Sequence, residues 1–216
     1  MKNNRKIRLE DINSEWVKNN ILANKNIFYL LFKNLADIFF GIVGFIFFIL
    51  LFPFIGILIK LDSAGSILFL QPRFGKNKKE FILYKFRTMQ ENGREQLDLW
   101  REKNKNNITR VGAFLRKTHL DELPQAINLL KGDISFIGPR AEWTELAKNF
   151  ETEIPHYKTR YLVKPGMMGW AQINFKASQS VEEAKKKFEY DLYYIKNQSI
   201  LLDLEIILKS PKLFLQ

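Results

Sequence analysis

The densest run of chemically capable side chains is Leu115-Arg116-Lys117-Thr118-His119-Leu120-Asp121-Glu122-Leu123-Pro124-Gln125. Two adjacent carboxylates, Asp121 and Glu122, stand beside two cations and directly before a proline-started helical stretch. Proline is tolerated in a first helical turn and not deeper, so Asp121 is expected as the N-cap. Main-chain donors and the helix dipole would hold a carboxylate there ionised, with Arg116 reinforcing them. An ionised, oriented aspartate suits nucleophilic attack on phosphorus or a hold on Mg2+. The same pair also fits a plain helix cap with surface salt bridges.

Two further basic clusters could complete a site for phosphates. One is Tyr84-Lys85-Phe86-Arg87-Thr88-Met89, where strand alternation predicts Lys85 and Arg87 on one face. The other is Gly138-Pro139-Arg140. Arginine binds phosphate bidentately and lysine acts as a point charge, so Lys85, Arg87, Arg116 and Arg140 all suit a diphosphate ligand. Solvated basic faces would look alike. Trp170 could stack on a base, although its apolar setting fits a core role better. His119 and His156 are the only histidines and there is no cysteine, which excludes thiolate metal sites, disulfides and cysteine nucleophiles. Phosphate-loop, dinucleotide-fold and serine-hydrolase motifs are absent from the sequence.

The elements that must position these groups begin with an uncharged run from Ile38 to Ile59, bracketed by Asp37 and Lys60. As a helix it matches the roughly 30 Å hydrocarbon core of a bilayer, and it shows no polar face. It exceeds a secretory h-region and follows a long polar segment, so a cleaved leader is not expected. Lysines and arginines crowd both flanks, and both therefore favour the cytoplasmic side. Pro53 supplies a bend, with Gly41, Gly44 and Gly56 adding freedom. On physics alone a kinked span and a helix that turns back remain equally open. The net charge of +11, within a chain 46% hydrophobic and 26% charged, describes a folded protein with anionic partners.

Elsewhere the pattern predicts a polar arm over residues 1–28, a hairpin of Ser66–Gln71 with Phe81–Tyr84, and a solvated helix or loop over Glu91–Asn107. Ala126–Leu130 reads as a short helix ended by Gly132, with a turn at Pro165-Gly166. Val181–Tyr194 reads as an amphipathic helix, and Ile200–Leu208 as a core or interfacial one.

In order along the chain stand an apolar segment with an inner proline, then QPRFG, YKFRTM, TRVGAFLRKTHLDELPQAINLLKGDISFIGPR, VKPGMMGWAQIN and DLYYIKNQSILLDLEIILK. This order resembles the bacterial sugar transferase family, the monotopic polyprenyl-phosphate phosphoglycosyl transferases, from about Leu31 to about Lys209. The resemblance implies a mixed α/β, helix-rich fold. Its parts would be a re-entrant membrane helix over 29–62, broken at Pro53, and a small cytoplasmic catalytic domain over 63–216 with interfacial amphipathic helices.

The resemblance further implies Asp121 as nucleophile assisted by Glu122, with Mg2+ at this pair, Arg116 on phosphate and Arg140 in the same anionic pocket. The implied reaction releases UMP from a UDP-sugar and passes the sugar phosphate to a polyprenyl (undecaprenyl) phosphate, at the cytoplasmic face of the bacterial inner membrane. Anionic lipid is a further expected partner, and a homo-oligomer stays open. Three positions depart from the family pattern: Phe52 where some relatives carry serine, Ala141 where proline is usual, and Met168 in place of threonine.

Two other readings fit parts of the sequence. A membrane-anchored binder of anionic lipid needs only the basic flanks, at about 1 kcal/mol per nearby cation. A lipid-diphosphate hydrolase would share the arginines and Mg2+ and use water as acceptor. Nucleic acid is not expected, since only Tyr84 and Phe86 offer stacking platforms among the cations.

Overall fold

A computed structural model describes residues 5–22, 26–90, 107–175 and 180–211. Its dominant element is α2, Ile27–Asp62, which follows the short α1, Ser14–Val17. Asn26 starts α2 by accepting the main-chain N–H groups of Phe28 and Tyr29 on its side-chain oxygen, at 3.0 and 3.3 Å. With 36 residues, α2 is about 54 Å long. Only 22% of its most apolar stretch is buried, and by length and composition it could cross a membrane. Phe28, Leu31, Leu35, Phe39, Phe47 and Phe54 are among the many large apolar side chains it exposes.

The opposite face of α2 is covered along its whole length. Near its start, Tyr29 and Lys33 bond Asp203 at 3.0 and 2.9 Å. One turn on, Asp37 accepts from Ser135 Oγ and Phe136 N, each at 2.8 Å, while Phe40 stacks on Phe136 with ring centroids 4.0 Å apart. At Gly41 and Gly44 the helix lies so close to Leu130 and Ala126 that an added Cβ would stand 2.8 and 3.2 Å from their side chains. Phe48, Ile55 and Ile59 then bury against Phe86 and Leu115. Finally the Asp62 carboxylate accepts from Val111 N at 2.8 Å.

Helical conformation continues through Pro53 without interruption. The break expected there is therefore not an unwinding. A proline removes one hydrogen bond, and here its ring is exposed while neighbouring Phe52 and Ile55 hold the turn against the domain.

The hairpin is longer than its sequence pattern suggests. β1, Leu68–Phe74, pairs antiparallel with β2, Glu80–Phe86, from Leu68↔Phe86 to Phe74↔Glu80. Then come α3 (Arg110–Thr118), a 3-10 turn over Leu120–Gln125 and α4 (Ala126–Lys131), which Gly132 ends in the left-handed conformation. A second, parallel pair joins β3, Ser135–Ile137, to β4, Gly166–Met168, with α5 (Thr144–Glu153) and a 3-10 turn over Tyr157–Leu162 between them. The helices α6 (Trp170–Asn174), α7 (Val181–Lys196) and α8 (Ile200–Lys209) follow. Among the described residues the architecture is thus helix-rich with two small sheets.

The polar N-terminal segment is docked from Arg5 onward. Ile12 and Ile21 are buried, and Trp170 donates its indole N–H to the Arg5 carbonyl at 2.8 Å. Trp170 is itself buried, with Lys209 over its ring at 5.0 Å, so it belongs to the core and has no face free for a base. Of the charged stretch read as a solvated helix or loop, 91–106 lie outside the described residues.

Candidate active site

The turn that carries Asp121 and Glu122 is set by its neighbour. His119 adopts a left-handed conformation (φ 54°), stops α3 and opens the 3-10 turn, so His119 and not Asp121 occupies the N-cap position. Asp121 lies inside the turn, buried, and among the described residues nothing donates a hydrogen bond or ion pair to its carboxylate. The expectation that main-chain donors hold it ionised fails with the cap. Burial pushes its pKa up and Glu122 adds to this, while Lys85, Arg116 and Arg140 pull the other way without reversing it.

Glu122 is the contrasting case. Its Oε1 accepts from Lys85 Nζ and from an Arg140 Nη, both at 2.7 Å. Burial alone would raise its pKa; the two cations and their hydrogen bonds outweigh that and hold it well below the usual carboxylate range. Lys85 is lowered by burial even with Glu122 beside it, whereas Arg140 is raised by the Glu122 charge. Lys85 comes from β2 and Arg140 from the loop after β3, so this ion triad joins three separate chain segments.

Arg116, on the last turn of α3, donates Nε–H to Thr88 Oγ1 at 2.9 Å and adds its charge to the field at Asp121. That placement needs α3 almost in contact with the main chain at Thr88. A Cβ on Gly112 would lie 2.1 Å from the Thr88 carbonyl oxygen, which is why glycine stands there.

Arg87 goes elsewhere. β2 ends at Phe86, so the alternation that would align Arg87 with Lys85 stops one residue short. Its guanidinium donates instead to the carbonyls of Ser63 and Ala64, just past α2. It fastens the hairpin to the end of α2.

Sequence reasoning missed a second layer of charge. Arg73 donates to the Ala141 carbonyl at 2.7 Å, and burial lowers its pKa to about 10. Behind it, Glu142 pairs with Lys187 at 2.6 Å and Arg160 with Asp191 at 3.1 Å. A signal was present in α7: Asp191 sits between Phe188 and Leu192, on the apolar stripe, where an acid requires a buried partner.

Among the described residues no group of three or more histidine, aspartate or glutamate side chains could enclose a metal ion. The donor set does fit a hard divalent cation that keeps other oxygen ligands. Asp121 offers an unpaired carboxylate, and the hydrogen bonds to Glu122 use only Oε1.

A buried, unpaired carboxylate among Lys85, Arg116 and Arg140, built close to a long apolar helix, suits chemistry on an anionic group. The sequence model of the family described as bacterial sugar transferase matches residues 28–216, and the chain belongs to that family. It is 43% identical over 159 residues to a UDP-N-acetylgalactosamine-undecaprenyl-phosphate N-acetylgalactosaminephosphotransferase of Aeromonas hydrophila, covering 74% of this chain and 38% of the relative. It is 38% identical over 205 residues to a UDP-glucose:undecaprenyl-phosphate glucose-1-phosphate transferase of Klebsiella pneumoniae, covering 93% and 43%. The exopolysaccharide production protein PSS of Rhizobium leguminosarum bv. phaseoli is 38% identical over 184 residues, covering 82% of this chain and 92% of that protein. The chain spans well under half the length of the first two relatives.

Proposed function

We propose that the chain transfers a sugar-1-phosphate from a UDP-sugar to a polyprenyl (undecaprenyl) phosphate at the cytoplasmic face of the bacterial inner membrane. The observation that carries this reading is the Asp121 carboxylate, buried and unpaired while its neighbour Glu122 is fully engaged.

Asp121 attacks the sugar-bearing phosphorus, and the bond from that phosphorus to the bridging oxygen breaks with its electron pair leaving on UMP. An oxygen of the carrier phosphate then attacks the same phosphorus and expels Asp121, giving the lipid-linked sugar diphosphate. Arg116, Arg140 and Lys85 neutralise the phosphate oxygens in a partly dry site, where such charge stabilisation is strongest. Glu122 keeps Lys85 and Arg140 in place before the donor arrives. Asp121 and Glu122 would hold Mg2+, which would supply Lewis-acid neutralisation of charge on the diphosphate.

The lipid reading is supported by α2. Tyr29 at one end and Asp62 at the other bond the same domain, which supports a reading with both ends on one side of the bilayer and the exposed face between them in lipid. That favours a monotopic, re-entrant placement over a span, with the helix continuous through Pro53. Leu201, Leu204 and Leu208 give α8 an exposed apolar face for the interface, and the basic flanks suit anionic headgroups.

The test is UMP release from a panel of UDP-sugars by detergent-purified protein with Mg2+ and undecaprenyl phosphate. One donor should yield UMP and a lipid-linked sugar diphosphate, and Asp121→Asn should abolish both. Undiminished turnover in Asp121→Asn overturns the nucleophile, and free sugar phosphate in place of the lipid product makes the chain a hydrolase.

A further inference from the structure

The loop that presents Arg140 is held through three successive carbonyls. Pro139 O accepts from Gly166 N at 2.9 Å, Arg140 O from an Arg160 Nη at 2.7 Å, and Ala141 O from an Arg73 Nη at 2.7 Å. The first bond is an isolated parallel bridge to the start of β4, just beyond β3. The other two come from side chains far along the chain.

Arg160 is nearly inaccessible, 7% exposed, and its guanidinium is engaged through its two terminal nitrogens, while its buried Nε has no hydrogen-bond partner. One donates to the Tyr157 hydroxyl, and the other bonds the Arg140 carbonyl and pairs with Asp191, which is 2% exposed. Glu142, two residues past Arg140, closes the group through Lys187 and lies 3.9 Å from Arg160. Two cations and two anions are thus sequestered together. Such clusters contribute little stability compared with an apolar filling, because desolvation offsets the attraction. What this one does supply is a fixed direction for the Arg140 main chain, whose side chain reaches Glu122 in the site.

We propose that Arg160, fixed by Asp191 and Tyr157, is a positioning residue for Arg140 and thereby sets affinity for the donor diphosphate. This rests on the reading of Arg140 as a phosphate ligand given above. A lysine at 160 would keep the charge and lose the fork, so it cannot bond the Arg140 carbonyl, Asp191 and Tyr157 together. Displacing a binding group by a fraction of an ångström is enough to change turnover strongly.

The experiment is a double-mutant cycle on UMP release, with Arg160→Lys, Arg140→Ala and the double variant in detergent with Mg2+. Arg160→Lys should raise the donor KM about tenfold while the carrier-phosphate KM stays within about twofold. In the Arg140→Ala background the same change should have less than about a twofold effect, because Arg160 would act through the group already removed. Asp191→Asn, which leaves the arginine in place and loosens it, should show the same pattern at smaller size and stands in if Arg160→Lys does not fold. Additive losses, or equal rises in both KM values, overturn the inference and leave the proposed reaction standing. Wild-type protein that releases no UMP from any donor overturns both.

Discussion

Replacing Glu122 by glutamine tests the ion triad directly. In the native site one carboxylate oxygen serves Lys85 and Arg140 at 2.7 Å each, with side-chain exposures of 18%, 17% and 30%. The amide keeps an acceptor oxygen and loses the charge, so two buried cations are left facing each other. Stripping a partner from a fully buried pair costs about 3–5 kcal/mol. Discounted for the partial exposure of this triad, the expected loss is about 2–3 kcal/mol. For a chain of this size that corresponds to a Tm lower by about 4–12 °C.

The measurement is thermal unfolding in detergent, with EDTA, from pH 7 down to pH 3. Because the folded state holds the Glu122 pKa below its unfolded value, the stabilisation is fully present above the ordinary carboxylate range. It is lost as pH falls through that range toward the depressed folded value. The gap between wild type and variant should therefore be widest at pH 7 and shrink on acidification. Added inorganic pyrophosphate should stabilise Glu122→Gln more than wild type, since it supplies the missing negative charge. A Tm gap below about 1 °C at pH 7, or one that does not change with pH, would refute the account of Glu122 as the counter-charge for both cations.

Three further outcomes follow from the same geometry. Asp121→Asn should lose activity and gain about 0.5–2 kcal/mol of stability at pH 7, measured by unfolding with EDTA. Its sign is opposite to that of Glu122→Gln: the folded pKa is raised, so the gain should vanish at acid pH and appear as pH rises past the ordinary carboxylate range. Arg87→Gln should lower stability by about 1–3 kcal/mol and leave the donor KM within about twofold, because Arg87 holds the Ser63 and Ala64 carbonyls and not the site. Gly112→Ala should cost about 1–3 kcal/mol in the denaturation midpoint and lower kcat/KM as well, since its Cβ would press on Thr88, the hydrogen-bond partner of Arg116.

The grouping of the charged side chains was more legible in the sequence than the scaffold. Asp121, Glu122, Arg116, Lys85 and Arg140 could be read as one group because each lies in a short run of unusual composition, and the fold brings them together. The N-cap at Asp121 was misread because a single left-handed residue, His119, shifts the start of the turn by two positions. Arg87 was misread because periodicity carries no mark of where a strand stops. β3 and β4 have three residues each, too few for any alternation to register, and pair across about 30 residues of intervening chain. The Arg160–Asp191 pair is purely tertiary. Only the acid on the stripe of α7 hinted at it.

On the proposed function, the grip of the domain on α2, from Tyr29 to Asp62, would make the bilayer part of the site's geometry. A tethered catalytic domain could ride at any height above its anchor. Here the site-bearing turn, the hairpin and β3, which leads into the Arg140 loop, all rest on one helix. On that reading bilayer thickness, through the depth and tilt it imposes on α2, would set the height at which Asp121 meets a carrier phosphate confined to the headgroup plane. Lipid composition acts on such a protein as a register adjustment between two halves of one active site, the protein half and the membrane half.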